Sequence, residues 1–187
     1  MPVKFSRIWA MPSRETFTIL PIAELVARYV GDGTGWAAPF AGNNSPAEFT
    51  NDLNPQTRAK SHLNANDFAN SLSTGLTGVI HDPPYSLRQL KECYDDIGAS
   101  LSSDETKTFP WRVKEILAPK VRPGGLAICC GWNSGGFGER KGFELVEILM
   151  VPHGRSHNDT IVTVERKMNE SLEAQAAPEP SSAEVSR

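Results

Sequence analysis

The stretch Gly78-Val79-Ile80-His81-Asp82-Pro83-Pro84-Tyr85 limits what this chain can fold into more than any other. Val79 and Ile80 are apolar and β-branched, and they read as the end of a buried strand. Pro83 and Pro84 cannot continue a ladder, so the chain must leave the sheet there in a fixed direction. Asp82 and Tyr85 then stand on a stiff loop at a strand's carboxyl end, where open α/β sheets bind ligands. The Asp82 carboxylate and the Pro83 carbonyl are acceptors, and the Tyr85 ring is a flat apolar surface. Together these groups suit the gripping of a planar ring that carries an exocyclic amino group.

Strand and helix patterns alternate around that stretch. Residues 1–14 read as irregular, with Trp9 and Met11 as anchors. Pro21 opens a helix in which Ile22, Leu25, Val26 and Tyr29 recur at helical spacing. Trp36 to Ala41 reads as the first strand, Ala47 to Thr50 as the second, and Gln56 to Leu63 as a helix. Leu87 to Tyr94 and Pro110 to Leu117 are further helices. Between them, the polar, Ser-rich run Asp95 to Thr108 reads as a mobile segment able to close over a ligand. A tight turn at Val121–Gly125 leads into the strand Leu126 to Cys130. Gly131 to Gly142 is too rich in glycine for a stable helix. Phe143 to Val151 and Thr160 to Val164 read as an antiparallel hairpin. The predicted class is α/β, a mostly parallel sheet with a terminal antiparallel hairpin.

At 187 residues the chain is long enough for one domain with a real core. The domain is expected over 1–167, and 168–187 is too rich in Glu, Ala, Ser and Pro to fold and reads as a disordered tail. No stretch is long and apolar enough to span a bilayer, and the N-terminus lacks a secretory pattern. The three cysteines make neither a disulfide framework nor a metal-binding spacing, so a reducing cytoplasm is expected. Cys129 and Cys130, adjacent on a strand, should fill the core on opposite faces. Four scattered histidines offer no metal-ligand cluster, and none is expected. The net charge is −3, but without the acidic stretch after Met168 acids and bases balance. No strong electrostatic footprint for nucleic acid is evident.

Asp82-Pro83-Pro84-Tyr85 resembles the catalytic motif of the S-adenosylmethionine-dependent DNA amino-methyltransferases, chiefly the N6-adenine branch. The resemblance covers roughly Thr16 to Lys167 and implies a Rossmann-like methyltransferase fold. It implies an S-adenosylmethionine site built from several short segments. Phe17 and Thr18, ahead of a helix, would meet the methionine part. Pro39-Phe40-Ala41-Gly42 resembles the family's glycine loop, with Ala38 where the family usually has an acid. Asp52, at the second strand's end, would accept the ribose hydroxyls or cap the segment at Asn54-Pro55, and the two roles can coexist. Asp67 would accept from the cofactor's adenine amine with Phe68 against the ring; the plain alternative is a helix cap followed by a core aromatic. The glycine loop precedes the catalytic motif, which excludes the circularly permuted branch.

The implied reaction is methyl transfer to N6 of adenine in double-stranded DNA, with the base flipped out of the stack. Asp82 and the Pro83 carbonyl would accept from the amine, and Tyr85 would stack on the base. Cytosine N4, RNA adenine, or a catalytically silent nucleic-acid-binding subunit are the alternatives. A glutamine-amide substrate is disfavoured because that branch usually has Asn where Asp82 stands. No insertion is long enough to be a separate recognition domain. Trp132 and Asn133 are expected to touch bases, and Arg140, Lys141 and Arg155 to contact phosphates, with His153 and His157 as lesser candidates. Such short loops read few base pairs, so a short or relaxed target is expected, or specificity supplied by a homodimer or partner.

Overall fold

The structure, a computed structural model, describes residues 2–98, 111–154 and 157–169. Its elements run β1 (Lys4–Arg7), α1 (Leu20–Val30), β2 (Trp36–Ala38), β3 (Phe49–Thr50), α2 (Ala65–Ser71) and β4 (Leu76–His81). They continue with α3 (Leu87–Asp96), α4 (Trp111–Leu117), β5 (Val121–Gly131), β6 (Phe143–Val151) and β7 (Thr160–Lys167). The strands form one sheet in the order β1-β6-β7-β5-β4-β2-β3. Every pairing is parallel except those of β7, which runs antiparallel to both β5 and β6. The expected α/β class, with its parallel sheet and closing antiparallel hairpin, is the observed one.

Alternation along the central strands divides the core in two. Ala38, Ile80, Ile128 and Cys130 face α1, where Ile22, Leu25, Val26 and Val30 cover them. Ala37, Val79, Ala127 and Cys129 face the other way, against Ala69 of α2 and Val113 and Leu117 of α4. The two adjacent cysteines therefore fill opposite faces, as strand geometry requires. Gly78 has a packing reason: a Cβ there would lie 2.5 Å from the Trp36 ring on the neighbouring strand.

Two local expectations are corrected. Residues 4–7 are a strand rather than irregular, paired along β6. Its short, mixed sequence carries no strand signal of its own, and the pairing is decided by the neighbour. Gln56 to Leu63 is not a helix. The Thr50 hydroxyl accepts from Lys60 N (3.0 Å), the Thr50 carbonyl from Ser61 N (3.1 Å), and the Asn51 side chain from Leu63 N (2.9 Å). Those bonds hold the segment extended, with Ser61 bridged in parallel to Asn51. Side-chain acceptors outcompeted the helical ladder. Most of the run Asp95 to Thr108 lies outside the described residues; Asp95 and Asp96 end α3.

One buried acid fastens the N-terminal edge. Glu147 on β6 is 1% exposed and accepts from Arg28 of α1 (2.9 Å) and from the Tyr29 hydroxyl (2.7 Å), with the Lys4 ammonium of β1 at 3.3 Å. Burial pushes its pKa up, but the hydrogen bonds from Arg28, Tyr29 and Lys4 outweigh that and hold it below its ordinary 4.5. The ion cluster thus stabilises the fold above that pH, and its contribution fades as pH falls through the depressed value. Glu147→Gln should lower stability at pH 7 by about 1–3 kcal/mol. In urea titrations the gap from wild type should narrow below pH 4.5; a gap that is constant with pH contradicts an ionic origin.

Candidate active site

The parallel register places the carboxyl ends of β2, β3 and β4 along one edge of the sheet, and a cavity of about 860 Å³ opens there. Its wall combines residues 12–17, Pro39–Gly42, Asn51–Leu53, Asn64–Asn66 and Asp82–Tyr85. That size suits a nucleotide-scale ligand. β4 ends at His81, so Asp82 is the first residue clear of the ladder. Beyond the prolines, Ser86 caps α3 by accepting from Gln89 N (3.2 Å), and the Gln89 side chain accepts from Tyr85 N (2.7 Å). This reciprocal cap fixes the exit of the Asp82-Pro83-Pro84-Tyr85 turn.

The Tyr85 hydroxyl donates to Asp82 Oδ1 at 2.5 Å. Burial pushes the Asp82 carboxyl up to about 6, although the hydrogen bonds from Tyr85 and from the Thr16 side chain pull it down. Tyr85 is raised by its own burial and by the neighbouring Asp82 charge, so its proton stays on oxygen. A carboxylate has more acceptor sites than these two donors fill, so Asp82 keeps room for an outside donor. The Tyr85 ring meets Trp132 edge-on, with centroids 5.8 Å apart. Further along the same loop, residues 136–138 are tied to the sheet and to α4. The buried Glu165 carboxylate accepts from Phe137 N (2.5 Å) and Gly138 N (2.8 Å), and the Lys114 ammonium donates to Gly136 O (2.7 Å). A Cβ on Gly136 would lie 2.0 Å from Glu165, so only glycine fits that loop.

Several expected residues meet at this cavity. Phe17, Pro39, Phe40, Ala41, Gly42 and Asp52 line it together with the four residues of the Asp82 turn. Asp52 accepts from Gly42 N (2.9 Å) and from Asn54 N (2.9 Å). It therefore serves as the cap and braces the glycine loop at the same time, with lone pairs left over on both oxygens. Glu15 also lines the wall and accepts from the Asn43 and Asn44 side-chain amides, both at 2.8 Å.

Other expected residues are elsewhere. Thr18 turns out to solvent and donates to the Glu15 carbonyl (2.7 Å); Thr16, two residues earlier, reaches Asp82. Asp67 is exposed and Phe68 is buried in the core, and neither lines the cavity. The helix starts at Ala65, capped by Asn64 accepting from Asn66 N (2.9 Å), so the cavity receives residues 64–66. Asn66 Oδ1 is buried with no hydrogen-bond partner among the described residues. An orphaned acceptor on a cavity wall marks a place for a ligand donor.

Arg140 and Lys141 are corrected more strongly. They precede β6, whose start pairs with Lys167 at the end of antiparallel β7, so they lie at the sheet edge opposite Asp82. Lys141 bridges Glu115 of α4 at 3.0 Å. The loop leaves the Asp82 edge at Gly131 and must cross the whole sheet to begin the next parallel strand. His153 is buried and bridges the Ala10 carbonyl and the Thr160 hydroxyl, each at 2.9 Å. His157 does line the cavity, Asn133 binds Gly135 N (2.9 Å) within its own loop, and Arg155 lies outside the described residues.

No family model and no curated protein sequence matches the chain. Solved structures do. TrmN from Thermus thermophilus superposes with a TM-score of 0.52 at 14% identity, over 80% of this chain and 49% of its own. The chain thus spans about half the length of that protein. The protein yhhF from Escherichia coli gives 0.53 at 10% identity over 86% and 91%. The 1,6-didemethyltoxoflavin-N1-methyltransferase of Burkholderia thailandensis, solved with S-adenosylhomocysteine, gives 0.52 at 12% over 80% and 77%. The fold is the Rossmann-like methyltransferase fold.

A carboxyl titrating near 6 when folded, against an ordinary 3.8, destabilises the fold once it ionises. The penalty is absent at low pH, grows as pH rises from 3.8 to about 6, and is constant above. Asp82→Asn should therefore raise unfolding free energy at pH 8 by up to roughly 3 kcal/mol, with little change at pH 4. Paired urea titrations at the two pH values check this; a variant no more stable than wild type at pH 8 contradicts the burial argument.

Proposed function

We propose that the protein transfers a methyl group from S-adenosylmethionine to the exocyclic N6 of adenine in DNA. One observation carries the reading: Asp82 offers a water-poor carboxylate with open acceptor sites at the carboxyl end of β4, inside a nucleotide-sized cavity, oriented by Tyr85. The Rossmann-like methyltransferase fold supports methyl transfer, and the segments around Gly42, Asp52 and Asn66 offer donors and acceptors suited to an adenosyl group. S-adenosylmethionine supplies an electrophilic methyl when bound.

The amine nitrogen of adenine is a poor nucleophile because its lone pair is delocalised into the ring. Hydrogen bonds from that amine to Asp82 and to the Pro83 carbonyl favour the tetrahedral form, in which the lone pair is available. Positive charge then develops on nitrogen, and the half-buried carboxylate, already held by Tyr85, stabilises it with little reorganisation. The Tyr85 hydroxyl holds the carboxylate in one orientation, and Trp132 limits where the Tyr85 ring can swing. The turn therefore acts chiefly through alignment and electrostatics. The loops beside the cavity are short, which favours a short or relaxed target or a partner that supplies the specificity.

Asp82→Ala should abolish transfer of tritiated methyl groups into unmethylated DNA while calorimetric S-adenosylmethionine affinity stays near wild type. Because the reaction uses the ionised carboxylate, kcat/KM should fall about tenfold per pH unit below the Asp82 value of about 6. Full activity in the variant ends this reading.

Asn66, rather than Asp67, is expected to meet the cofactor's adenine. Asn66→Ala should weaken S-adenosylhomocysteine binding by about 1–2 kcal/mol, and Asp67→Ala should leave it unchanged. The reverse ranking by calorimetry would restore Asp67 to the site.

A further inference from the structure

We infer that residues 4–11 form a track for a single polynucleotide strand leading into the Asp82 cavity, an inference that rests on the nucleobase reading of that cavity. The chain as a whole carries a net charge of −3, yet its first fourteen residues hold Lys4, Arg7 and Arg14 and no acid. β1 is an edge strand parallel to β6, so its carboxyl end points to the same sheet edge as Asp82. The extended pairing continues beyond it. Ile8 N donates to Met150 O (3.0 Å), Ala10 N to Pro152 O (3.2 Å), and His153 Nδ1 to Ala10 O (2.9 Å). Residues 12–16 then run directly into the cavity wall.

An extended chain puts residues 5, 7, 9 and 11 on one face. Phe5, Trp9 and Met11 are 61%, 59% and 69% exposed, and Arg7 is exposed between the two aromatics. Strand geometry sets Phe5 and Trp9 about 13 Å apart. Two aromatic platforms with a cation between them are what a stretched single strand needs: bases stack and the intervening phosphate meets the guanidinium. Lys4 is occupied by Glu147, which leaves Arg7 and Arg14, neither of which makes an ion pair among the described residues. A second copy is a poorer occupant. Antiparallel pairing of all four β1 residues would set Lys4 opposite Arg7, like charge against like. A polyanion meets Arg7, unpaired among the described residues, favourably.

The test uses the full chain and a fluorescein-labelled 20-nucleotide single-stranded DNA containing adenines. Anisotropy titrations compare wild type, the double variant Phe5→Ala with Trp9→Ala, and Arg7→Ala. The double variant should bind about tenfold more weakly. Arg7→Ala should reduce the slope of log affinity against log salt by about 0.7. S-adenosylhomocysteine affinity should stay at the wild-type value in all three, and methyl transfer to the oligonucleotide should suffer in KM rather than kcat. Unchanged affinity and KM in both variants overturn the track while leaving the reaction standing. A wild-type dimer that the double variant splits into monomers assigns the strip to a second copy and overturns it too. Wild type that binds S-adenosylhomocysteine but neither binds nor methylates any polynucleotide overturns both the track and the nucleobase reading.

Discussion

The cavity depends on the burial of β4 between β2 and β5. That strand is apolar on both faces because α1 covers one and α2 and α4 cover the other. A strand packed in this way can end only where the cover ends, and there the next residue is an acid. Asp82 is pushed up to about 6 by desolvation at the cavity wall, against the hydrogen bonds from Tyr85 and Thr16. The desolvation that makes the carboxylate costly to ionise also serves its proposed use. An acid exposed to water would be cheaper to ionise and weaker as an electrostatic acceptor.

Around it the structure uses a repeated device: a buried or half-buried polar side chain that ties a loop to the sheet. Asp52 holds the backbone of Gly42, Glu165 holds that of Phe137 and Gly138, and His153 holds Ala10 to Thr160. Each replaces water on backbone groups that lie outside any ladder. The cavity rim is thereby built from loops that behave as extensions of the sheet. Trp132 meets the Tyr85 ring edge-on, while further along the same loop Glu165, which does not line the cavity, holds the backbone of Phe137 and Gly138.

Polar residues also decide which segment presents which side chain. Asn64 begins α2 one turn ahead of the core aromatic Phe68, and that phase turns Asn66 inward and Asp67 outward. The Ser13–Thr18 turn does the same at the other wall, with Thr16 reaching Asp82 while Thr18 bonds Ser13 and the Glu15 carbonyl. A shift of one or two residues along a turn changes the chemistry of the wall without changing the fold.

The sequence by itself determined the class, the core strands and the turn at Asp82, because apolar periodicity and paired prolines act locally. The two-residue period of Ala127 to Cys130 is enough to assign its two faces, and Asp82-Pro83-Pro84-Tyr85 can leave a strand in few ways. The pairing of Lys4–Arg7 was decided only by the tertiary structure, because an edge strand takes its shape from its neighbour. The extended path of residues 60–63 was decided there too, since Thr50 and Asn51 reach it from another strand. The same holds for Arg140 and Lys141. Local pattern marks a basic glycine-rich loop, but only the direction of β6 and β7 shows that its cations end at the far edge. Side-chain phase at a helix start and strand direction across a crossover are both properties of contacts between segments distant in sequence, and no local pattern carries them.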